Sequence, residues 1–215
     1  MDKVIQLCYC KISLYDKRKI SATQLRSFIG YKFFEDTEFH HHDDNPYRYP
    51  LIQYKRIKDE LYVLGIEQFS DLVFDKISEL QHIILHNTKI PISNTIFEKK
   101  KHTITEKLCR YRFTSPWIAL NAENYTKFKS LDPIFYQKFL EDILTGNLLS
   151  TLKGLDMRID FRLYVKINWF KHIPVVAHKH GFSGFYAEFV TNLSLPDFIG
   201  LGKSVSKGFG IIQSQ

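Results

Sequence analysis

An α+β chain built of two tandem ferredoxin-like (RRM-like) βαββαβ units is what this sequence predicts, and three observations predict it. In residues 1–95 the local patterns run strand, helix, strand, strand, helix, strand. From residue 104 to residue 215 a second, basic cycle of strand and helix patterns follows, closed by a glycine-rich loop. Between them Pro91, Ser93, Asn94 and the run Lys99-Lys100-Lys101 read as a connection. The expected domains are therefore 1–95 and 104–215.

Each element has a local reason. Residues 3–14, K-V-I-Q-L-C-Y-C-K-I-S-L, are apolar, β-branched and partly alternating, which predicts a strand. Ser21 stands three residues before Gln24, a capping-box spacing, and Leu25, Phe28, Ile29 and Phe33 then share one helical face. Leu51 to Ile57 and Leu61 to Ile66 read as strands around a turn at Lys58-Asp59-Glu60. Phe69, Leu72, Val73, Ile77 and Leu80 have helical spacing, and H-I-I-L-H at residues 82–86 predicts the next strand. In the second half Leu108 to Phe113 reads as a strand with Arg110 and Arg112 on one face against Cys109, Tyr111 and Phe113. Asp132-Pro133 opens a helix through Phe139, Ile143 and Leu148 that ends near Gly154. Ile159 to Ile167, Ile173 to Val176 and Phe185 to Val190 predict strands, and Ile211-Ile212 a short apolar end.

Composition narrows the function. With 44% hydrophobic and 15% aromatic residues the 215-residue chain can bury a core, and no apolar run reaches membrane-spanning length. The start M-D-K-V-I-Q-L-C-Y lacks the basic region and cleavage site of a secretory signal, so a soluble, cytoplasmic protein with no membrane partner is expected. Cys8, Cys10 and Cys109 read as ordinary core residues. The net charge of +7 is unevenly spread: residues 1–100 hold 15 Lys and Arg against 14 Asp and Glu, whereas residues 101–215 hold 15 against 9. The excess therefore sits with the glycine-rich loop, and a basic excess attracts polyanions.

That loop, G-L-G-K-S-V-S-K-G-F-G, holds four of the ten glycines. Glycine-rich backbone can press its N–H groups against a large anion. A Walker loop is excluded because the position five residues before Gly202 is Asp197, and the dinucleotide fingerprint because its third glycine would fall at Val205. What remains is two G-hydrophobic-G pairs, Gly200 with Gly202 and Gly208 with Gly210, around Lys203, Ser204, Ser206 and Lys207.

Residues 38–50, E-F-H-H-H-D-D-N-P-Y-R-Y-P, place His40, His41 and His42 on a connection. Three readings stay open for them: a solvated polar loop, a divalent-metal site with Asp43 and Asp44, or acid–base chemistry on RNA. Metal-free RNA cleavage needs a base for a 2′-OH, an acid for the departing 5′ oxygen, and positive charge near phosphorus. In an extended chain His40 and His42 face one side and His41 the other, which makes His40 and His42 the preferred pair. Tyr47, Tyr49, Lys55 and Arg56 follow closely with hydroxyl donors and cations.

Three stretches carry a family resemblance: F-H-H-H-D-D-N-P-Y-R-Y-P-L-I-Q-Y-K from Phe39, Y-R-F-T-S-P-W from Tyr111, and F-I-G-L-G-K-S-V-S-K-G-F-G from Phe198. They are similar to the b-type subgroup of the Cas-six endoribonucleases, which process CRISPR repeat RNA. The resemblance implies tandem ferredoxin-like folds and cofactor-free, metal-independent cleavage of pre-crRNA to crRNA. The products it implies carry a 2′,3′-cyclic phosphate or a 3′ phosphate. It also implies a catalytic histidine after the first helix, a role that His40 or His42 fits, supported by Tyr or Lys. The glycine loop with Arg110 and Arg112 is expected to hold the RNA backbone. Repeat RNA, a multi-subunit interference complex and a homodimer are the expected partners, and DNA is not. The alternative is a non-catalytic RNA-binding subunit of a CRISPR ribonucleoprotein.

Overall fold

The computed structural model describes residues 3–16, 19–39, 49–177 and 180–215, with backbone alone for residues 176, 177 and 180. The chain divides into two compact units, one of Val4–His102 with Ser206–Gly208, the other formed mainly by Thr103–Val205 and Phe209–Gln215.

The N-terminal unit follows the predicted order: β1 (Lys3–Leu14), α1 (Ala22–Lys32), β2 (Ile52–Ile57), β3 (Glu60–Ile66), α2 (Phe69–Ser78) and β4 (His82–Leu85). The capping box forms with both arms, the Gln24 N–H donating to Ser21 Oγ at 3.1 Å and the Ser21 N–H to Gln24 Oε1 at 2.9 Å. Leu25, Phe28 and Ile29 of α1 and Val73 and Ile77 of α2 bury against Cys8, Cys10 and Ile12 of β1. Each such apolar side chain contributes about 1.5–3 kcal/mol on full burial.

One expectation is corrected here. Residues 89–103 are not a connection but most of β5 (Thr88–Ile104), which lies between β1 and β4 in the sheet order β2-β3-β1-β5-β4. Pro91, Ser93 and Asn94 are loop formers by type, yet Ile90 is buried and Ile92 and Phe97 pack on the core, as a strand requires. The lysine run is accommodated on the strand because Lys99 lies over the Phe74 ring and pairs with Asp71, while Lys100 lies over Tyr9.

The C-terminal unit contains β6 (Glu106–Phe113), α3 (Ala122–Ser130), α4 (Tyr136–Gly154), β7 (Val165–Ala177), β8 (His180–Leu193) and β9 (Ile212–Ser214), with sheet order β7-β8-β6-β9. Helix α3 is unforeseen, because its sequence A-E-N-Y-T-K-F-K-S buries only Phe128. The signals for it are polar: the Asn121 cap accepting from the Asn124 N–H at 2.7 Å, and Glu123 paired with Lys127 one turn on. The strands expected at 159–167, 173–176 and 185–190 are instead one long hairpin, paired from Val165↔Thr191 to Ala177↔His180 with a bulge between Ile167 and Trp169. Glu141 of α4 is buried and accepts the Ile167 N–H at 3.0 Å, satisfying backbone at that bulge. Cys8 and Cys10 are buried as expected, but Cys109 is only partly buried, on β6 between two exposed residues.

Loss of the reciprocal cap gives the fold's clearest local test. Ser21→Ala is expected to lower unfolding free energy by about 1 kcal/mol and Ser21→Gly by a few tenths, read from urea denaturation midpoints.

Candidate nucleic-acid interface and cleavage site

The glycine-rich loop is held by main-chain hydrogen bonds, one within itself and two to residues 116–118. The Leu201 N–H donates to the Gly210 carbonyl at 2.9 Å, the Gly210 N–H to Pro116 at 2.9 Å and the Lys203 N–H to Ile118 at 3.1 Å. Gly210, at φ +65°, lies where any Cβ would collide with the Leu201 carbonyl, so glycine serves both the left-handed backbone and the close approach. The sequence predicts amides aimed at an anion, yet one of these three is spent inside the loop and the other two on residues 116–118 beside it. Leu201 and Val205 are buried beneath it, whereas Lys203 is exposed and Ser204 turns through φ +56°.

Ser206–Gly208 belongs to the N-terminal unit. A Cβ on Gly208 would lie 2.6 Å from Ala22 Cβ, 3.3 Å from the Tyr54 carbonyl and 3.8 Å from Lys55 Cα, so the segment runs against the start of α1 and the edge strand β2. Arg26 is one turn beyond Ala22. Burial, and then the Arg26 guanidinium, lower the pKa of the half-buried Lys207 ammonium below the ordinary lysine value. The two cations therefore lie close enough for each to feel the other's field. Beside them Tyr54 is fully buried, and its hydroxyl has no hydrogen-bond partner among the described residues.

Strand β2 also carries a buried polar chain. Lys55 Nζ donates to Gln53 Oε1 at 2.7 Å, and Gln53 Nε2 donates to Tyr49 Oη at 2.9 Å and to the Pro50 carbonyl at 3.0 Å. Gln53 is 0%, Lys55 1% and Tyr49 8% exposed, and among the described residues Lys55 pairs with no carboxylate. Desolvation therefore pushes the Lys55 amine down from 10.5 to about 7. An amine with that pKa exchanges its proton near neutral pH, as a lysine in water does not.

His40, His41, His42 and Tyr47 lie outside the described residues. Gly200 pairs with Ile211, and Gly202, at φ +91°, packs on the Trp117 indole. Arg110 and Arg112 are exposed on one face of β6, with Arg112 Nη2 donating to Gln213 Oε1 at 3.2 Å, while Tyr111 and Phe113 face the core. Sequence reasoning missed Gln53 and Arg26. Gln53 shares the strand alternation of Lys55, which could have linked them, and Arg26 follows Leu25, at the border of the apolar face of its helix.

Comparison with known proteins then gives a consistent result. Models described as the Cas6b N-terminal domain and the Cas6b C-terminal domain match residues 5–103 and 103–215. A crystal structure of Cas6b superposes with a TM-score of 0.87 at 33% identity, covering 98% of this chain and 100% of that one. A crystal structure of a CRISPR RNA processing endoribonuclease Cas6b gives 0.76 at 30% identity, over 98% and 100%. An uncharacterized protein of Methanocaldococcus jannaschii is 39% identical over 109 residues, 51% of this chain and 74% of that protein.

The depressed Lys55 pKa has a thermodynamic sign. Between about pH 7 and the ordinary lysine value the unfolded chain binds the extra proton and the folded chain does not, so this group's contribution makes stability rise with pH across that window. Wild type minus Lys55→Met, measured by urea unfolding at several pH values, is expected to rise by up to about 1.4 kcal/mol per pH unit above 7. A flat difference would place the amine in ordinary solvent contact.

Proposed function

Because the chain belongs to the Cas6b family, we propose that it is an endoribonuclease that cuts CRISPR repeat RNA into mature crRNA by attack of a 2′-OH on the adjacent phosphate. The 2′ oxygen forms a bond to phosphorus, the bond from phosphorus to the 5′ oxygen breaks, and the products are a 2′,3′-cyclic phosphate and a 5′-OH. Opening of the cyclic ester by water leaves a 3′ phosphate. His40 and His42 are assigned as the acid–base pair: one imidazole accepts the 2′-OH proton, and the other as imidazolium protonates the leaving oxygen. His41 is the reserve candidate for either role, and the Tyr47 hydroxyl is assigned to donate to the developing charge.

The observation that carries this reading is the Lys55–Gln53–Tyr49 chain, set directly after the histidine segment with Gly208 packed against Lys55 Cα. A buried lysine without a carboxylate costs stability, and such costs concentrate where chemistry needs them. With 1% exposure Lys55 acts as a positioning residue, orienting the Tyr49 hydroxyl through Gln53. Ser206 and Lys207 with Arg26 take RNA phosphates on the N-terminal unit, and Lys203, Ser204, Arg110 and Arg112 take them on the C-terminal unit.

A repeat RNA carrying 2′-deoxy at the scissile nucleotide is expected to bind with unchanged affinity and stay intact in a gel assay, since the nucleophile is gone. Cleavage of the all-ribose repeat is expected to proceed undiminished in excess chelator. Activity that needs one restored divalent metal would favour the metal reading of the histidines. His40→Ala and His42→Ala are each expected to slow single-turnover cleavage by about 10²–10⁴-fold with little change in Kd. A non-catalytic RNA-binding subunit would show no cleavage to lose.

A further inference from the structure

The C-terminal unit carries a groove that this chemistry does not use. Two clefts share Tyr125 and His172. The larger, about 600 Å³, is walled by Tyr125, His172, Pro174, Phe182, Ser183 and Lys203. The smaller, about 300 Å³, continues past Tyr125 to Lys129, Tyr136 and Phe170. No carboxylate lines either, and among the described residues neither Lys203 nor Lys129 forms an ion pair.

The wall is preorganised. The His172 ring stacks on buried Phe185 at 5.0 Å and 24°, and His172 Nε2 lies 3.0 Å from Ser183 Oγ, so one imidazole edge and one hydroxyl are held in place. Lys129 Nζ sits 5.1 Å from the centre of the Tyr125 ring, which is 38% exposed. Aromatic surface between two unpaired cations, with polar groups fixed on an apolar wall, suits a single strand of nucleic acid: rings stack on bases and cations follow phosphates. The larger cleft falls within the range of volumes that enclose a nucleotide-sized ligand.

We propose that this groove holds an unpaired stretch of the repeat RNA. One base stacks on Tyr125 in the larger cleft with its edge read by His172 and Ser183, and Lys203 and Lys129 hold the flanking phosphates. The assignment rests on the RNA-processing reading above and makes Tyr125 a specificity-determining residue with no part in bond cleavage.

The test uses the full chain and the repeat RNA of its own CRISPR array, made uncleavable by 2′-deoxy at the scissile nucleotide and rendered abasic at one position at a time. Binding is read by fluorescence anisotropy. One position, or two adjacent ones, should weaken binding to wild type by about tenfold. The same positions should carry no penalty in Tyr125→Ala and a full penalty in Tyr125→Phe, which keeps the ring. Lys203→Gln and Lys129→Gln should each reduce the slope of log K against log salt by about 0.7. An abasic profile in Tyr125→Ala identical to that of wild type, with repeat RNA still bound and the all-ribose form still cut, overturns the groove assignment alone. Failure of wild type to bind repeat RNA overturns the reading beneath it, and this one with it.

Discussion

Main chain laid directly on main chain is the constraint from which the rest of this structure follows. At Gly210 there is no room for a single carbon atom beyond the backbone, and at Gly202 the indole of Trp117 fills the space that a side chain would take. That indole is itself fixed, stacked on Phe113 of β6 at 5.1 Å and donating from Nε1 to Asn147 Oδ1 of α4 at 2.8 Å. A short run of glycines thus fastens a loop, a strand and a helix through one aromatic ring. The same economy operates at Gly208, which lets the Lys207 segment lie against β2 instead of standing off by the width of a side chain.

Closeness of this kind creates electrostatic cost. Arg26 lowers the Lys207 pKa, and Lys55 is buried and pairs with no carboxylate among the described residues. The Lys55 arrangement is not favoured by folding alone, because a buried ammonium is stable only when paired or neutral. The N-terminal unit therefore concentrates strain in its electrostatics while its apolar core, from Cys10 to Ile77, is ordinary.

How far the letters reached depended on the range of the interaction that decided each element. The Ser21–Gln24 cap, the stripe through Leu25 and Ile29, and the alternation of β6 are local patterns, and each was legible. Strand β5 was not, because Pro91 and Asn94 signal a loop locally while Ile90 and Phe97 answer to partners far away in sequence. Helix α3 hid behind polar residues whose capping and charge pattern is weaker than an apolar stripe. In the site, lysine and glycine types pointed to anion binding, but the lowered pKa of Lys55 and Arg26's nearness to Lys207 are products of tertiary burial that spacing does not encode.

The cysteines were read simply as core, and their actual distribution has a practical side. Cys8 and Cys10 are sealed in the N-terminal core, with burial raising both thiols and holding Cys8 at about 11, so neither forms the reactive thiolate near neutral pH. Cys109 sits partly open on β6 beside Arg110. A maleimide fluorophore thus has one native attachment point, and the unaltered polypeptide comes equipped with an optical reporter on β6 next to an exposed arginine.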